Sequence, residues 1–166
     1  MKRYLVLTAM VLAILFVTVF FDLHLSPTKT VEAILQEKGI SLDNYNVLDH
    51  ENSKFYIVHD NSTLILIKVN RTMGLFWASD YSHYYGTKGD FIDYNMFASD
   101  SYTIIYGICN DWSIRSVELI LSDDKNIKSD IDESGIFFIK YDGNALLWKQ
   151  LVALDEDKNE IWSISN

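Results

Sequence analysis

Lys54-Phe55-Tyr56-Ile57-Val58-His59 and Thr63-Leu64-Ile65-Leu66-Ile67-Lys68-Val69-Asn70, separated by Asp60-Asn61-Ser62, decide the fold class of this chain. Both runs are rich in β-branched and aromatic residues, which fit a pleated surface, and the polar triplet between them carries turn chemistry. A connection this short favours antiparallel neighbours. Working outward, the same texture continues from Asn46 to the C-terminus, and Pro27 is the only proline in the chain. Further strands are expected at Asn46 to Asp49, Gly74 to Ser79, Phe91 to Ala98, Tyr102 to Cys109, Ser113 to Leu121, Gly135 to Tyr141, Leu146 to Leu154 and Glu160 to Ile164. Turns are expected at Glu51-Asn52-Ser53, Asn110-Asp111, Asp142-Gly143-Asn144 and Asp155 to Asn159. Tyr81 to Asp90 lacks clean alternation and reads as a loop lying over the core.

Upstream of the strands, Ser26-Pro27 reads as a helix start and Gly39 as its terminator. Val31, Ile34, Leu35 and the stem of Lys38 share one face at helical spacing, with Glu32, Gln36 and Glu37 opposite. Such an apolar stripe needs a sheet to cover it. Before this helix, Lys2 and Arg3 precede an uncharged run from Tyr4 to Phe21 that Asp22 closes. The run is apolar all round, as a membrane helix is and an amphipathic core helix is not. The positive-inside rule puts Lys2 and Arg3 in the cytoplasm and the bulk of the chain outside. No small-residue cleavage site follows, so a retained signal anchor is expected.

The expected class is therefore α+β, predominantly antiparallel β. Residues 1–25 are a signal anchor, 26–80 a helix plus β-hairpin lobe, and 90–166 a β-sandwich-like lobe, the last two compatible with one compact domain. At 166 residues with 49% hydrophobic and 14% aromatic side chains, the chain can bury enough apolar surface to fold. Its formal charge is -9, and removing Lys2 and Arg3 takes the rest to -11. That surface repels phosphate backbones, so nucleic acid is not an expected partner. The single cysteine, Cys109, cannot form an intramolecular disulfide and reads as a small buried hydrophobe.

Several segments invite a chemical reading. Asp155, Asp157 and Asn159 stand at the first, third and fifth positions of a calcium loop, but Glu160 occupies the glycine position and Asn166 the bidentate position, so a hairpin turn is expected. Asp123, Asp124, Asp130, Asp132 and Glu133 are interleaved with Lys125 and Lys128 and read as a solvated loop. His24, His50, His59 and His83 show no metal-binding spacing. No glycine-flanked serine elbow occurs, so no catalytic, metal or cofactor residue is nominated. Among the aromatics, Trp148, Trp162 and most tyrosines are expected in the core, whereas Phe76, Trp77, Tyr81, Tyr84, Tyr85 and Trp112 are the candidates for an interaction surface, with Trp112 the most exposed.

The hydrophobic N-terminus, Ser26-Pro27-Thr28-Lys29-Thr30-Val31-Glu32-Ala33-Ile34, Gly107-Ile108-Cys109-Asn110-Asp111 with Ile114-Arg115-Ser116-Val117, and Val152-Ala153-Leu154-Asp155 with Glu160-Ile161-Trp162 together resemble one recurrent type. It is the small, membrane-tethered, extracytoplasmic protein of bacilli and related Gram-positive bacteria, a type with no established catalytic residues. The resemblance implies a location and a fold more than an activity. The leading expectation is a non-enzymatic binding module of the cell envelope, held in the membrane through residues 4–21 and acting on a protein or envelope component. The alternatives are an envelope hydrolase or transferase with a dispersed acidic site, and an immunity or inhibitor protein whose acidic face meets a basic partner.

Overall fold

The computed structural model describes residues 2–20, 23–43, 45–60, 62–144 and 147–166. Phe21 and Asp22 at the end of the hydrophobic run, Asn61 of the first hairpin turn, and Leu146, the expected first residue of a strand, lie outside the described residues. Among the described residues, helix α1 (Lys2–Phe20) and helix α2 (Pro27–Gln36) precede eleven strands: β1 (Tyr45–His50), β2 (Ser53–Asp60), β3 (Thr63–Thr72), β4 (Phe76–Gly86), β5 (Ile92–Ala98), β6 (Tyr102–Cys109), β7 (Ser116–Leu121), β8 (Asn126–Asp130), β9 (Ile136–Asp142), β10 (Trp148–Leu154) and β11 (Glu160–Ser165). All the strand pairs are antiparallel. They form three sheets, ordered β1-β2-β3-β4, β5-β6-β9 and β11-β10-β7-β8.

Alternation along the strands stacks these sheets. In the first sheet Tyr56, Val58, Ile65, Ile67 and Val69 meet Val31 and Leu35 of α2, while Phe55, Ile57, Leu64 and Leu66 point the other way. That second face packs on Tyr102, Ile104, Tyr106 and Ile136 of the three-stranded sheet. The opposite face of the three-stranded sheet, with Ile105, Phe137, Ile139 and Tyr141, closes on Val117, Leu119, Trp148, Leu151 and Ala153 of the third. The order of layers is thus helix, sheet, sheet, sheet. Strand β6 lies at the centre of the middle layer and is buried at every position.

Helix α2 forms as its sequence suggests, with Pro27 at the first turn and Val31 and Leu35 fully buried. Ser26, however, makes no side-chain cap. Instead the Thr30 hydroxyl donates to the Ser26 carbonyl at 3.2 Å and lies 3.3 Å from the Trp77 carbonyl, tying the helix to the edge of β4. Lys38 is exposed, so its stem does not extend the buried stripe.

Three expectations are corrected. Tyr81 to Gly86 is strand, not loop, because the two-sided burial of β3 demands a hydrogen-bonded neighbour along its whole length. The alternation is masked by a bulge: Ser79 pairs with Val69 and Tyr81 with Lys68, leaving Asp80 extra. Asn126 to Asp130, read as part of a solvated loop, is the edge strand β8, whose one apolar residue, Ile127, reaches the core. Its charges suit an edge, where they discourage pairing with another chain. Finally, β7 begins at Ser116 and not Ser113, since 110–115 turns the chain from one sheet to the next.

Among the described residues no helix is long and apolar enough to cross a membrane. The 19 residues of α1 measure roughly 28 Å at about 1.5 Å per residue, just under a hydrocarbon core of about 30 Å. Its described apolar side chains, from Tyr4 to Phe16, stand exposed.

Packing of the central layer depends on Gly107. A Cβ there would meet the Asp93 carbonyl oxygen on β5 and lie 2.6 Å from the Phe137 ring on β9. Gly107→Ala should therefore cost about 3 kcal/mol, measured as a lowered urea midpoint at unchanged m-value. A loss below about 0.5 kcal/mol would mean that the central sheet is loosely packed.

Candidate functional site

Two loops meet at the end of the stack where β5 begins and β6 ends. The first, 87–91, leads from β4 into β5; the second, 110–115, leads from β6 into β7. They are joined by the Asn110 N–H donating to the Phe91 carbonyl at 3.0 Å, and by the Asn110 side-chain amide donating to the Asp90 carbonyl at 2.7 Å. Beneath both lies Asp93, a carboxylate only 2% exposed. It accepts from the Lys88 N–H at 2.9 Å, the Gly89 N–H at 3.0 Å and the Asn110 side chain at 3.0 Å. A buried carboxylate is tolerable only when such donors replace water, so Asp93 fixes both loops.

On this base the second loop projects Trp112. The Asp111 carboxylate accepts from the Ser113 N–H at 2.8 Å and the Ser113 hydroxyl at 2.7 Å, closing a tight turn. These two donors, the hydroxyl first, hold the Asp111 carboxyl below its usual range, so it carries charge well into the acid. Trp112 is 75% exposed and Phe91 55%. With Gly89, Asp90, Asn110 and Asp111 they line an open cleft of about 320 Å³. A second cleft of about 340 Å³ shares Asp90 and Phe91 and continues past Tyr85, Lys88, Tyr94 and Trp162. Tyr94 and Trp162 meet edge to face at 6.2 Å, and burial, with Tyr85 nearby, raises the Tyr94 phenol. A larger depression of about 470 Å³, where the chain turns from α2 toward β1, is lined by Glu32, Gln36, Ile40, Leu42 and Asp43 among others and offers no aromatic face.

The six residues expected to form an interaction surface do not lie together. The bulge at Asp80 sends Tyr81 and Tyr85 toward the middle sheet and leaves Trp77 and Tyr84 on the helix side. Phe76 is buried. Of the six, Trp112 lines the first cleft and Tyr85 the second. Sequence reasoning missed Phe91, Asp90 and Asp93 as parts of this site. The Asn110-Asp111 turn and Gly89 were the available signals, but nothing in the spacing says that the two loops converge.

The remaining candidates resolve into structural roles. Asp155 accepts from the Asn159 N–H at 2.8 Å and the Asn159 side chain at 3.0 Å, making the β10–β11 hairpin turn. Asp123 pairs with Lys125, Asp124 with Lys149 and Asp130 with Lys128. Among the described residues no group of His, Cys, Asp or Glu is arranged to hold a metal ion. The His83 ring is 3.2 Å from the hydroxyl of fully buried Tyr106, and His50 packs edge-on against Tyr102 with centroids 4.2 Å apart. Cys109 is buried, and burial, with a smaller push from Asp111, raises its thiol to about 12. It is not an activated nucleophile.

No family model matches this chain, and no curated protein matches it. The site therefore has to be read from its own chemistry: exposed ring faces beside fixed negative charge, on a rigid base.

Two outcomes follow. Asp93→Ala strands three donors and should cost about 3 kcal/mol or more, with the Trp112 emission changing as the loops separate; wild-type-like urea melts would show that the loops hold without it. The Cys109 thiol should resist Ellman's reagent at pH 8 until denaturant is added. Because its folded pKa lies above the ordinary 9.0, the unfolded chain loses the proton first, so stability should fall as the pH rises from about 9 toward 12. Denaturant midpoints across that range, compared with Cys109→Ala, measure the effect.

Proposed function

We propose that this protein is a non-enzymatic binding module held at the outer face of a membrane by its N-terminal helix, and that it receives a positively charged segment of a protein partner at the Phe91–Trp112 cleft. The observation that carries this reading is Trp112, a large aromatic side chain 75% exposed on a turn whose geometry is fixed from below. An exposed tryptophan on a rigid support offers contact area at little entropic cost. Asp90 and Asp111 beside it, in a chain of net charge -9, favour a basic partner and steer its approach. The indole face itself attracts cations, more so when the pair is shielded from water. The tether is supported by the uncharged run from residue 4 to 21 and by Lys2 and Arg3 before it, with snorkelling flanks making up the short span.

Trp112 is the most exposed of the described tryptophans, so its emission reports the cleft. Titration of the full chain with a lysine-rich hexapeptide at low salt should give a saturable change in that emission. Asp90→Asn with Asp111→Asn should weaken binding roughly 10-fold, Trp112→Ala should abolish the signal, and added salt should mimic the charge removal. With Asp111 held below the usual carboxylate range by its Ser113 donors, its share of the binding should outlast that of an ordinary surface carboxylate as the pH is lowered. A response to neutral amino-sugar oligomers, with none to the basic peptide, would replace the protein partner by a saccharide.

A further inference from the structure

The end of the stack opposite the cleft carries a second exposed feature. Strands β3 and β4 are joined there by Met73-Gly74-Leu75, with Thr72 facing Phe76. Met73 is 77% exposed and Leu75 66%. Met73 has a φ of 50° and Gly74 one of 74°. The left-handed region is unfavourable for an unbranched apolar residue, and Asn, Asp or Gly would satisfy both the backbone and water at this tip. Position 73 thus breaks two local rules at once, by conformation and by solvation. Such breaches concentrate where function demands them.

The chain leaving α1 comes to this hairpin. His24 and Trp77 form an antiparallel bridge, with the His24 N–H donating to the Trp77 carbonyl at 3.1 Å and the Trp77 N–H donating back at 2.7 Å. Leu25, the residue after this bridge, is itself 65% exposed, and Trp77 lies two positions from Leu75 along the chain. Leu25 lies five positions beyond Phe20 at the end of α1, a reach of at most about 18 Å. Arg71, exposed on β3, faces half-buried Trp77 across the strand pair. Arginine and tryptophan flanking exposed aliphatic side chains are the composition of a membrane–water interface.

We infer that the β3–β4 hairpin tip, through exposed Met73 and Leu75, inserts into the interfacial layer of the bilayer that holds α1, a second contact that orients the domain. The inference rests on the tethered reading above. The hairpin tip and the cleft lie at opposite ends of strands about 30 Å long, so this contact turns Phe91 and Trp112 away from the lipid. A single flexible tether leaves a domain free to tumble against the surface; two contacts fix which end faces outward.

The test uses the full chain in lipid nanodiscs, with buried Cys109 left in place. Single variants Met73→Cys, Leu75→Cys, Leu12→Cys and Trp112→Cys are labelled with an environment-sensitive fluorophore and exposed to nitroxide-bearing lipids. The expected result is blue-shifted emission and loss of intensity at 73, 75 and 12, and neither at 112. Quenching at 12 but not at 73 or 75 would overturn the docking and leave the tether standing. Absence of quenching at 12 would remove the tether and this inference with it. Met73→Asn, which suits the turn and stays in water, should free the domain, seen as faster anisotropy decay of a label at 112; an unchanged decay would count against an orienting contact.

Discussion

Burial of β6 on both faces is the constraint from which the rest of the structure follows. A strand whose every side chain is covered must have a sheet neighbour on each edge and a packed layer above and below. Strands β5 and β9 supply the edges. The first and third sheets supply the layers, and α2 then covers the remaining apolar face of the first sheet. Gly107 is the local expression of that crowding, since the Phe137 ring occupies the space a side chain would need.

Because the strands are occupied in packing, chemistry is left to their ends. The two loops beyond β4 and β6 converge on Asp93, a buried charge satisfied by three donors, and its rigidity is what allows Trp112 and Phe91 to stand in water without collapsing onto the core. The acidic residues that look most like ligands in the sequence do something different. Asp155 closes a hairpin, and Asp123, Asp124 and Asp130 each find a lysine at the surface, pairs of little energetic weight.

The two ends of the strands differ in kind. One presents ring faces beside carboxylates; the other presents aliphatic side chains in the company of Arg71 and Trp77, next to the chain arriving from α1. A tethered receptor would need this division, with the lipid-compatible end near the anchor and the charged aromatic end away from it. The net charge of -9 disfavours contact of the domain with anionic surfaces in general.

Much of the secondary structure was legible because it is written in local periodicity. The hairpin of Lys54 to Asn70, the α2 stripe of Val31 and Leu35, the strand Tyr102 to Cys109 and the turn at Asp155 all follow from spacing and turn chemistry alone. What failed did so for physical reasons. The bulge at Asp80 shifts the alternation by one residue and hides the second half of β4. Strand β8 has a single buried side chain, too few to show a period. For the candidate site only Trp112 and the Asn110-Asp111 turn could be read ahead, because Asp93 joins loops twenty residues apart and no local pattern records that closure. By itself, then, the sequence determined most of the strand segments, the acidic net charge and the apolar run before the domain, since each depends on neighbours along the chain. Only the tertiary structure decided which aromatic rings face water, which carboxylate is buried and which ends of the strands lie together, because those depend on how sheets stack around a strand covered on both sides.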